Sequence, residues 1–219
     1  PAIEALFTID EETGMTGALN LKGGVLQGEI LLNMDTEEDD EIDIGCAGGI
    51  DVTAERKYNE EETPENSVGY QITVKGLNGG HSGMDIIKGL GNANKIMNRL
   101  LFDGFENFGL QVAEISGGSL RNAIPRESVA KVIIAKMFED AFTFDMQEVI
   151  KDIKTEFKTT EPNLNIEIKE IETPKIVMDL GVQEGLIRAI YAAHNGVYRM
   201  SADMKDLVET SNNIAKEIG

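Results

Sequence analysis

Two groups of acidic residues near the start of the chain each follow an apolar run. Three consecutive carboxylates, residues 10–12, come after the run at residues 3–9, and Asp35 comes after the run at residues 30–34. Each run is predicted to be a buried strand that ends in a charged turn, as in sites at the carboxyl ends of strands in an α/β sheet. Two neighbouring strands of this kind would bring their carboxylates to one point.

The chemistry open to such carboxylates is metal binding and proton transfer. Carboxylate oxygens bind divalent cations, and a spare carboxylate beside the metal can act as general base on a bound water. The adjacent Glu11 and Glu12 serve both needs if the turn directs one side chain to the metal and the other to the water. Composition alone favours the alternative that these residues form a solvated acidic loop.

The elements around these carboxylates are short. Residues 1–47 are predicted to contain two parallel strands of a larger sheet, with glycines in the crossover between them. Alternating apolar residues at 50–58 and 68–74 predict an antiparallel hairpin around the acidic loop 59–66. Cys46 lies among small residues and is predicted to be a buried structural thiol.

A ferredoxin-like layer is predicted for residues 67–170. Apolar residues at helical spacing predict one helix at 85–101, with Gly104 just past its end, and a second helix at 142–157. Strands are predicted at 110–115, 129–137 and 164–168. The order strand, helix, strand, strand, helix, strand is that of a ferredoxin-like α+β fold.

Two glycines and a histidine are assigned to helices. Gly89 and Gly91, placed inside the first helix, indicate a close backbone approach, as between this helix and its symmetry mate. His194 falls in the last turn of a helix predicted at 182–194, where it would interact with the helix dipole rather than bind zinc. The remaining predictions are a short helix at 201–209 and a strand or frayed tail at 211–219.

Composition excludes several classes of function. The chain has 219 residues, 41% of them hydrophobic, and its 20 basic and 39 acidic residues give a net charge of -19. Such a charge repels phosphate backbones, so no nucleic-acid partner is expected. No apolar run has the length of a membrane span and no basic amphipathic stretch suggests a membrane surface.

Several short blocks of the chain resemble one group of enzymes. Residues 8–14, Thr-Ile-Asp-Glu-Glu-Thr-Gly, look like the Glu-Glu motif of the co-catalytic dinuclear zinc metallopeptidases. Further blocks resemble the aminoacyl-histidine (Xaa-His) dipeptidases, also called cytosol non-specific dipeptidases, and they lie at residues 32–38, 44–49, 75–83, 89–95, 117–126 and 207–211. They occur in the order found in the family and span residues 3 to 213.

The resemblance implies a role for individual residues. Glu11 matches the general base, and Glu12 and Asp35 match ligands of the two zinc ions. His81 matches a lid histidine that stabilises the tetrahedral oxyanion, often from the partner subunit. Two substrate-binding residues are expected in the block before Pro125. Asn122 matches a residue that contacts the substrate, and Arg121 beside it would suit a substrate carboxylate.

The chain also departs from the family pattern. An early His-x-Asp motif, a bridging Asp and a late His that supply further zinc ligands have no counterpart among its residues. We therefore expect an internal fragment, inactive alone. Residues 1–47 would be part of an α/β zinc-peptidase catalytic domain, and residues 48–219 an incomplete lid and dimerisation domain of the α+β class.

The expected function follows from this resemblance. The full-length protein would be a cytoplasmic, zinc-dependent dipeptidase with two zinc ions per site, acting on unblocked dipeptides of the Xaa-His type. It would be a homodimer through the lid domain. The alternatives are another di-zinc aminopeptidase, tripeptidase or aminoacylase of the same group, or a non-catalytic dimerisation module.

Overall fold

The chain divides into two compact units, residues 1–50 and residues 51–219. The structure is a computed structural model that describes residues 3–11, 14–34, 40, 42 and 45–219. No helix among these residues is long and apolar enough to cross a membrane.

The described residues of the first unit form one short helix, α1 (Thr16–Leu19), and no strand. Apolar side chains of both predicted strands are exposed, Phe7 at 90% and Leu32 at 80%. The prediction of buried strands is therefore wrong for the described residues, because a parallel strand is buried only where neighbouring strands and helices cover it. Cys46 is exposed for the same reason, so the predicted buried thiol is also wrong.

The second unit has helices and antiparallel sheets, so its α+β class is confirmed. Its helices are α2 (Ala93–Phe108), α3 (Glu139–Phe157) and α4 (Leu180–Ala192). Its strands are β1 (Glu60–Glu62), β2 (Ser67–Lys75), β3 (Gly80–His81), β4 (Gln111–Gly117), β5 (Ala123–Ile124), β6 (Ser128–Ala135), β7 (Asn165–Ile171), β8 (Ile176–Met178), β9 (Gly196–Met200), β10 (Val208–Asn212) and β11 (Glu217–Ile218).

The main sheet has five antiparallel strands in the order β11-β4-β6-β2-β7. The chain passes through β2, α2, β4, β6, α3 and β7 in turn, which is the predicted ferredoxin-like order. β11 extends this layer at the β4 edge. The ferredoxin-like prediction is therefore confirmed, with one strand added by the last residues of the chain.

The core lies between this sheet and the helices α2 and α3. Every second residue of β2, from Val68 to Val74, is buried, because alternate side chains of a strand point to one face. Leu100 of α2 and Phe142 of α3 are fully buried against that face. The helical and strand periodicities in the sequence thus identify one shared core.

The hairpin predicted from residues 50–58 and 68–74 is wrong. Residues 51–59 contain no strand, and β1 pairs with β8 rather than with β2. The physical reason is that β2 already has β6 on one side and β7 on the other, so neither of its edges is free for another strand.

The helix predicted at 85–101 is wrong at both ends. A 3-10 turn at Ile86–Lys88 stops at Gly89, whose φ of 64° is left-handed, and α2 begins only after its N-cap, Asn92. α2 then continues to Phe108 and ends at Gly109. At Gly91 the close approach is to the chain itself, where an added Cβ would lie 2.8 Å from Leu77 Cδ2. The approach of a symmetry mate stays a prediction.

The last part of the chain is more extended than predicted. No helix forms at 201–209, where β10 instead pairs with β9. α4 ends at Ala192, so His194 lies beyond the helix, where its main-chain oxygen accepts a hydrogen bond from Asn212 Nδ2. The predicted position of His194 in the last helical turn is therefore wrong.

Candidate functional site

The short hairpin of β3 and β5 brings three predicted site residues together. His81 pairs with Ala123 across this hairpin, and the main-chain N–H of Ser82 donates to the carbonyl oxygen of Asn122 at 2.8 Å. Arg121 directly precedes Asn122, so His81, Asn122 and Arg121 lie on one exposed edge of the second unit.

Glycines let the chain turn into this hairpin. Gly79 has a φ of 67°, and an added Cβ would lie 2.3 Å from the Cγ of Arg126. At Gly80 an added Cβ would lie 2.7 Å from the Asp85 carboxylate. Because both positions exclude a side chain, the Gly-Gly pair before His81 is required by local packing.

The imidazole of His81 is held by its own loop. The ring Nδ1 accepts hydrogen bonds from the main-chain N–H groups of Gly83, at 3.1 Å, and Met84, at 3.2 Å. A ring nitrogen that accepts two hydrogen bonds carries no proton, so the proton of the neutral ring is on Nε2. His81 is exposed, and its Nε2–H is therefore available as a donor.

Asp85 fixes the other side of the same loop. One carboxylate oxygen accepts a hydrogen bond from the main-chain N–H of His81 at 2.7 Å, and the other accepts one from Lys88 Nζ at 2.5 Å. The hydrogen bond from Lys88, followed by that from the His81 main chain, holds the pKa of Asp85 below its usual value. The residue types around His81 do not single out Asp85, because its contact is with the main chain of the histidine.

Arg121 is already engaged within the second unit. Its guanidinium lies 3.5 Å from the Asp51 carboxylate and donates to Thr53 Oγ1 at 3.1 Å. Both side chains of the ion pair are more than half exposed, so it contributes little stability by itself. The two contacts place residues 51–53 beside the segment that precedes β5.

The predicted acidic residues are only partly described. Glu11 is exposed in a turn that follows Asp10. The Asp10 carboxylate accepts a hydrogen bond from Thr16 Oγ1 at 2.7 Å. Glu12 and Asp35 lie outside the described residues. Among the residues that the structure does describe, no three His, Cys, Asp or Glu side chains are grouped so that they could hold a metal ion.

Comparison with known proteins finds a family match within the second unit. Residues 72–165 match the family described as the peptidase dimerisation domain. This range contains the hairpin of His81 and most of the ferredoxin-like layer, so this part of the chain is similar to that domain.

Two relatives match nearly the whole chain. The cytosol non-specific dipeptidase of Escherichia coli is 40% identical over 212 residues, which are 97% of this chain and 44% of that protein. The crystal structure of the aminoacylhistidine dipeptidase from Vibrio alginolyticus is 40% identical with a TM-score of 0.80, over 95% of this chain and 43% of that one. The resemblance to the aminoacyl-histidine dipeptidases is thereby confirmed. The chain spans less than half the length of these relatives.

Proposed function

We propose that this chain is part of a zinc-dependent dipeptidase that hydrolyses unblocked dipeptides of the Xaa-His type. The observation that carries the proposal is the 40% identity to an aminoacylhistidine dipeptidase over 95% of the chain, with a shared fold. The His81 hairpin supports it because its exposed N–H donor suits an oxyanion. We also propose that the protein is cytoplasmic, as the name of the Escherichia coli relative says of that protein.

The metal would be held by carboxylates of the first 47 residues. Glu12 and Asp35 supply the oxygen donors that zinc accepts, but a zinc site in a protein takes three or four ligands. Two carboxylates fit the metal in kind and do not complete its site. Zinc, when bound, supplies a Lewis acid that activates water.

Each remaining site residue has a role in the proposed reaction. Glu11 would take the proton of the attacking water and deliver it to the leaving amine. The Nε2–H of His81 would donate to the oxyanion that develops on the scissile carbonyl. Asn122 would contact the substrate, and the guanidinium of Arg121 would bind a substrate carboxylate in competition with the carboxylate of Asp51.

Metal analysis of the purified chain tests the assignment of the ligands. After dialysis we expect less than one tightly bound zinc per chain, and less still in the Glu12→Ala, Asp35→Ala double variant. Two tightly bound zinc ions that the double variant loses would mean that the chain holds a complete site, contrary to the proposal.

Turnover assays separate the proposed function from its alternatives. In a longer protein that hydrolyses Xaa-His dipeptides, His81→Ala should lower kcat about 100- to 1000-fold, the usual effect of removing an oxyanion donor. Preference for tripeptides or acylated amino acids would favour another enzyme of the same group. Absence of turnover in every longer form would leave only the dimerisation module.

A further inference from the structure

Residues 212–219, here called the docking segment, are bound by polar side chains from the rest of the second unit. Asn213 Nδ2 donates to the carbonyl oxygen of Ala123 at 2.8 Å, which connects this segment to the His81 hairpin. The carbonyl oxygen of Ile214 accepts the side-chain amides of Asn92, at 3.2 Å, and Asn94, at 3.1 Å. The segment therefore holds together the start of α2 and the hairpin.

The end of the docking segment forms β11 with a register that places a carboxylate inside. Ile115 and Gly219 exchange two main-chain hydrogen bonds, of 2.8 and 2.9 Å, and Glu217 lies opposite Gly117. Glu217 is only 8% exposed, whereas Ile218 is 72% exposed. A slip of one residue would reverse this and bury the isoleucine, so hydrophobicity alone does not explain the register.

Two other buried polar groups surround the position opposite Glu217. An added Cβ on Gly117 would lie 1.9 Å from Asn94 Oδ1 and 2.7 Å from Ser128 Oγ. Ser128 is the neighbour of Gly117 on β6, so Glu217, Gly117 and Ser128 follow one line across the sheet. Asn94 is fully buried and Ser128 is 1% exposed.

The three side chains have more hydrogen-bond acceptors than donors. Within the described part of the chain, Asn94 Oδ1, Ser128 Oγ and both carboxyl oxygens of Glu217 have no hydrogen-bond partner. An ionised carboxylate is an acceptor only, and burying it unpaired is costly. A protonated carboxyl adds a donor, and the amide oxygen of Asn94, which also borders Gly117, is a buried acceptor without one.

No charged side chain among the described residues compensates Glu217 from the elements packed against it. Lys95 of α2 donates instead to three carbonyl oxygens at the end of α4, between 2.7 and 3.1 Å. Glu114 of β4 and Lys131 of β6 pair with each other on the opposite face of the sheet. Burial alone therefore raises the pKa of Glu217 to about 7.

We infer that Glu217 is a neutral acid in the folded chain and donates its proton toward Asn94, directly or through a buried water shared with Ser128. The docking of residues 212–219 then depends on pH. This inference does not rest on the proposed dipeptidase activity.

The direction of the pH dependence follows from the raised pKa. The usual pKa of the carboxyl is 4.5 and that of the folded chain is about 7. The stabilising contribution of Glu217 is therefore complete below pH 4.5 and is lost as the pH rises through 7. Between these values the constant for undocking rises about tenfold per pH unit on account of this group.

Carboxyl NMR of the chain, labelled with 13C in its glutamates, tests the protonation directly. The Glu217 resonance, assigned by its absence from Glu217→Gln, should have the shift of a protonated carboxyl at pH 6 and titrate near pH 7. An ionised carboxylate at pH 6 would overturn the inference. An ionised carboxylate whose shift responds to added Mg²⁺, Ca²⁺ or Na⁺ would also overturn it, in favour of a cation site.

Amide exchange at Ile115 and Gly219 tests the coupling to docking. The protection factors of these two amides should fall by about tenfold between pH 6 and pH 8 in the wild type. Glu217→Gln keeps a neutral donor of the same shape, so its protection should stay constant over this range. Glu65→Gln, an exposed change of the same type, should behave as the wild type does. Equal loss of protection in Glu217→Gln and the wild type would contradict the inference.

Discussion

His81 shows how a short loop can determine which nitrogen of an imidazole carries the proton. Two main-chain N–H groups donate hydrogen bonds to Nδ1, and the Asp85 carboxylate accepts a hydrogen bond from the main-chain N–H of the histidine. These contacts are all local and lie within residues 81–85. A donor on Nε2 is therefore a property of the loop itself and does not depend on substrate or metal.

The tautomer of His81 can be measured in the isolated chain. Long-range 1H–15N spectra at a pH where the ring is neutral should show the proton on Nε2, because Nδ1 accepts from Gly83 and Met84. The other histidine serves as the internal reference, and His194→Gln assigns the two sets of signals. A proton on Nδ1 of His81 would contradict the described loop.

Candidate site residues could be singled out where the sequence itself carries the motif. His81, Arg121 and Asn122 lie in glycine- or proline-flanked blocks, and the structure brings the three together. Asp85 was missed because its contact is with the histidine main chain, which no residue pattern encodes. The inward position of Glu217 was missed for a different reason, since a charged residue is ordinarily expected on the solvent face.

The packing of α2 against α3 contains a pair of carboxyl groups. The carboxyl groups of Asp103 of α2 and Asp145 of α3 interact, and Asn107 Nδ2 donates to Asp103 at 3.1 Å. One oxygen of each group, Asp103 Oδ2 and Asp145 Oδ2, is buried and has no hydrogen-bond partner among the described residues. Burial, followed by the neighbouring Asp145 carboxyl, raises the pKa of Asp103 to about 6. The ionised form of Asp103 is therefore the less favourable one in the folded chain.

Replacing Asp103 should stabilise the chain at alkaline pH. Because the folded pKa of about 6 exceeds the usual 3.8, stability present below pH 3.8 is lost as the pH rises through 6. Asp103→Asn should thus raise the free energy of unfolding at pH 8 by about 1 kcal/mol, allowing for solvent screening. Urea unfolding followed by circular dichroism measures this. The exposed Asp152→Asn is the control, and an equal gain in both variants would argue against the pair.

Two helical glycines should respond to alanine with opposite signs. At Gly104 in α2 an added Cβ would lie 2.6 Å from Cδ1 of the fully buried Leu110, so Gly104→Ala should destabilise the chain by about 1–3 kcal/mol. Gly185 in α4 is exposed, with its nearest contact at 3.6 Å. Gly185→Ala should therefore stabilise the chain by up to about 1 kcal/mol. Thermal unfolding of the two variants compares them, and stabilisation by Gly104→Ala would show that Leu110 gives way.

Elements could be predicted from the sequence where periodicity and pairing agree. The ferredoxin-like order was found because each strand and helix buries one regular set of apolar residues in the same core. The prediction of a hairpin with residues 50–58 was wrong because the alternation of apolar and polar residues in that segment does not reveal that both edges of β2 are occupied. The start of α2 was predicted too early because Ile86 and Leu90 have helical spacing. The backbone between them is left-handed at Gly89, which ends the 3-10 turn.

On the scale of the whole molecule, charge opposes the homodimer that is expected from the sequence. Each chain carries a net charge of -19, so two copies repel one another at low ionic strength. The Debye length falls from about 30 Å at 0.01 M salt to about 8 Å at physiological ionic strength. Association through the dimerisation domain should accordingly be stronger in salt.

Sedimentation of the chain at several concentrations tests this expectation. The fraction of dimer should increase between 0.01 M and 0.15 M salt, because screening weakens the repulsion between like-charged copies. Residues 51–219 expressed alone are the control that shows whether the dimer contact lies in the second unit. A monomer at every concentration and salt level would contradict a homodimer through this domain.

The late position of the docking segment in the chain has a consequence for synthesis on the ribosome. Asn94 and its acceptor, the carbonyl oxygen of Ile214, are 120 residues apart. At typical translation rates that interval takes on the order of 10 s. During this time the β4 edge of the nascent sheet is open to pairing with other chains. Completion of the sheet must therefore wait until residues 212–219 have been synthesised.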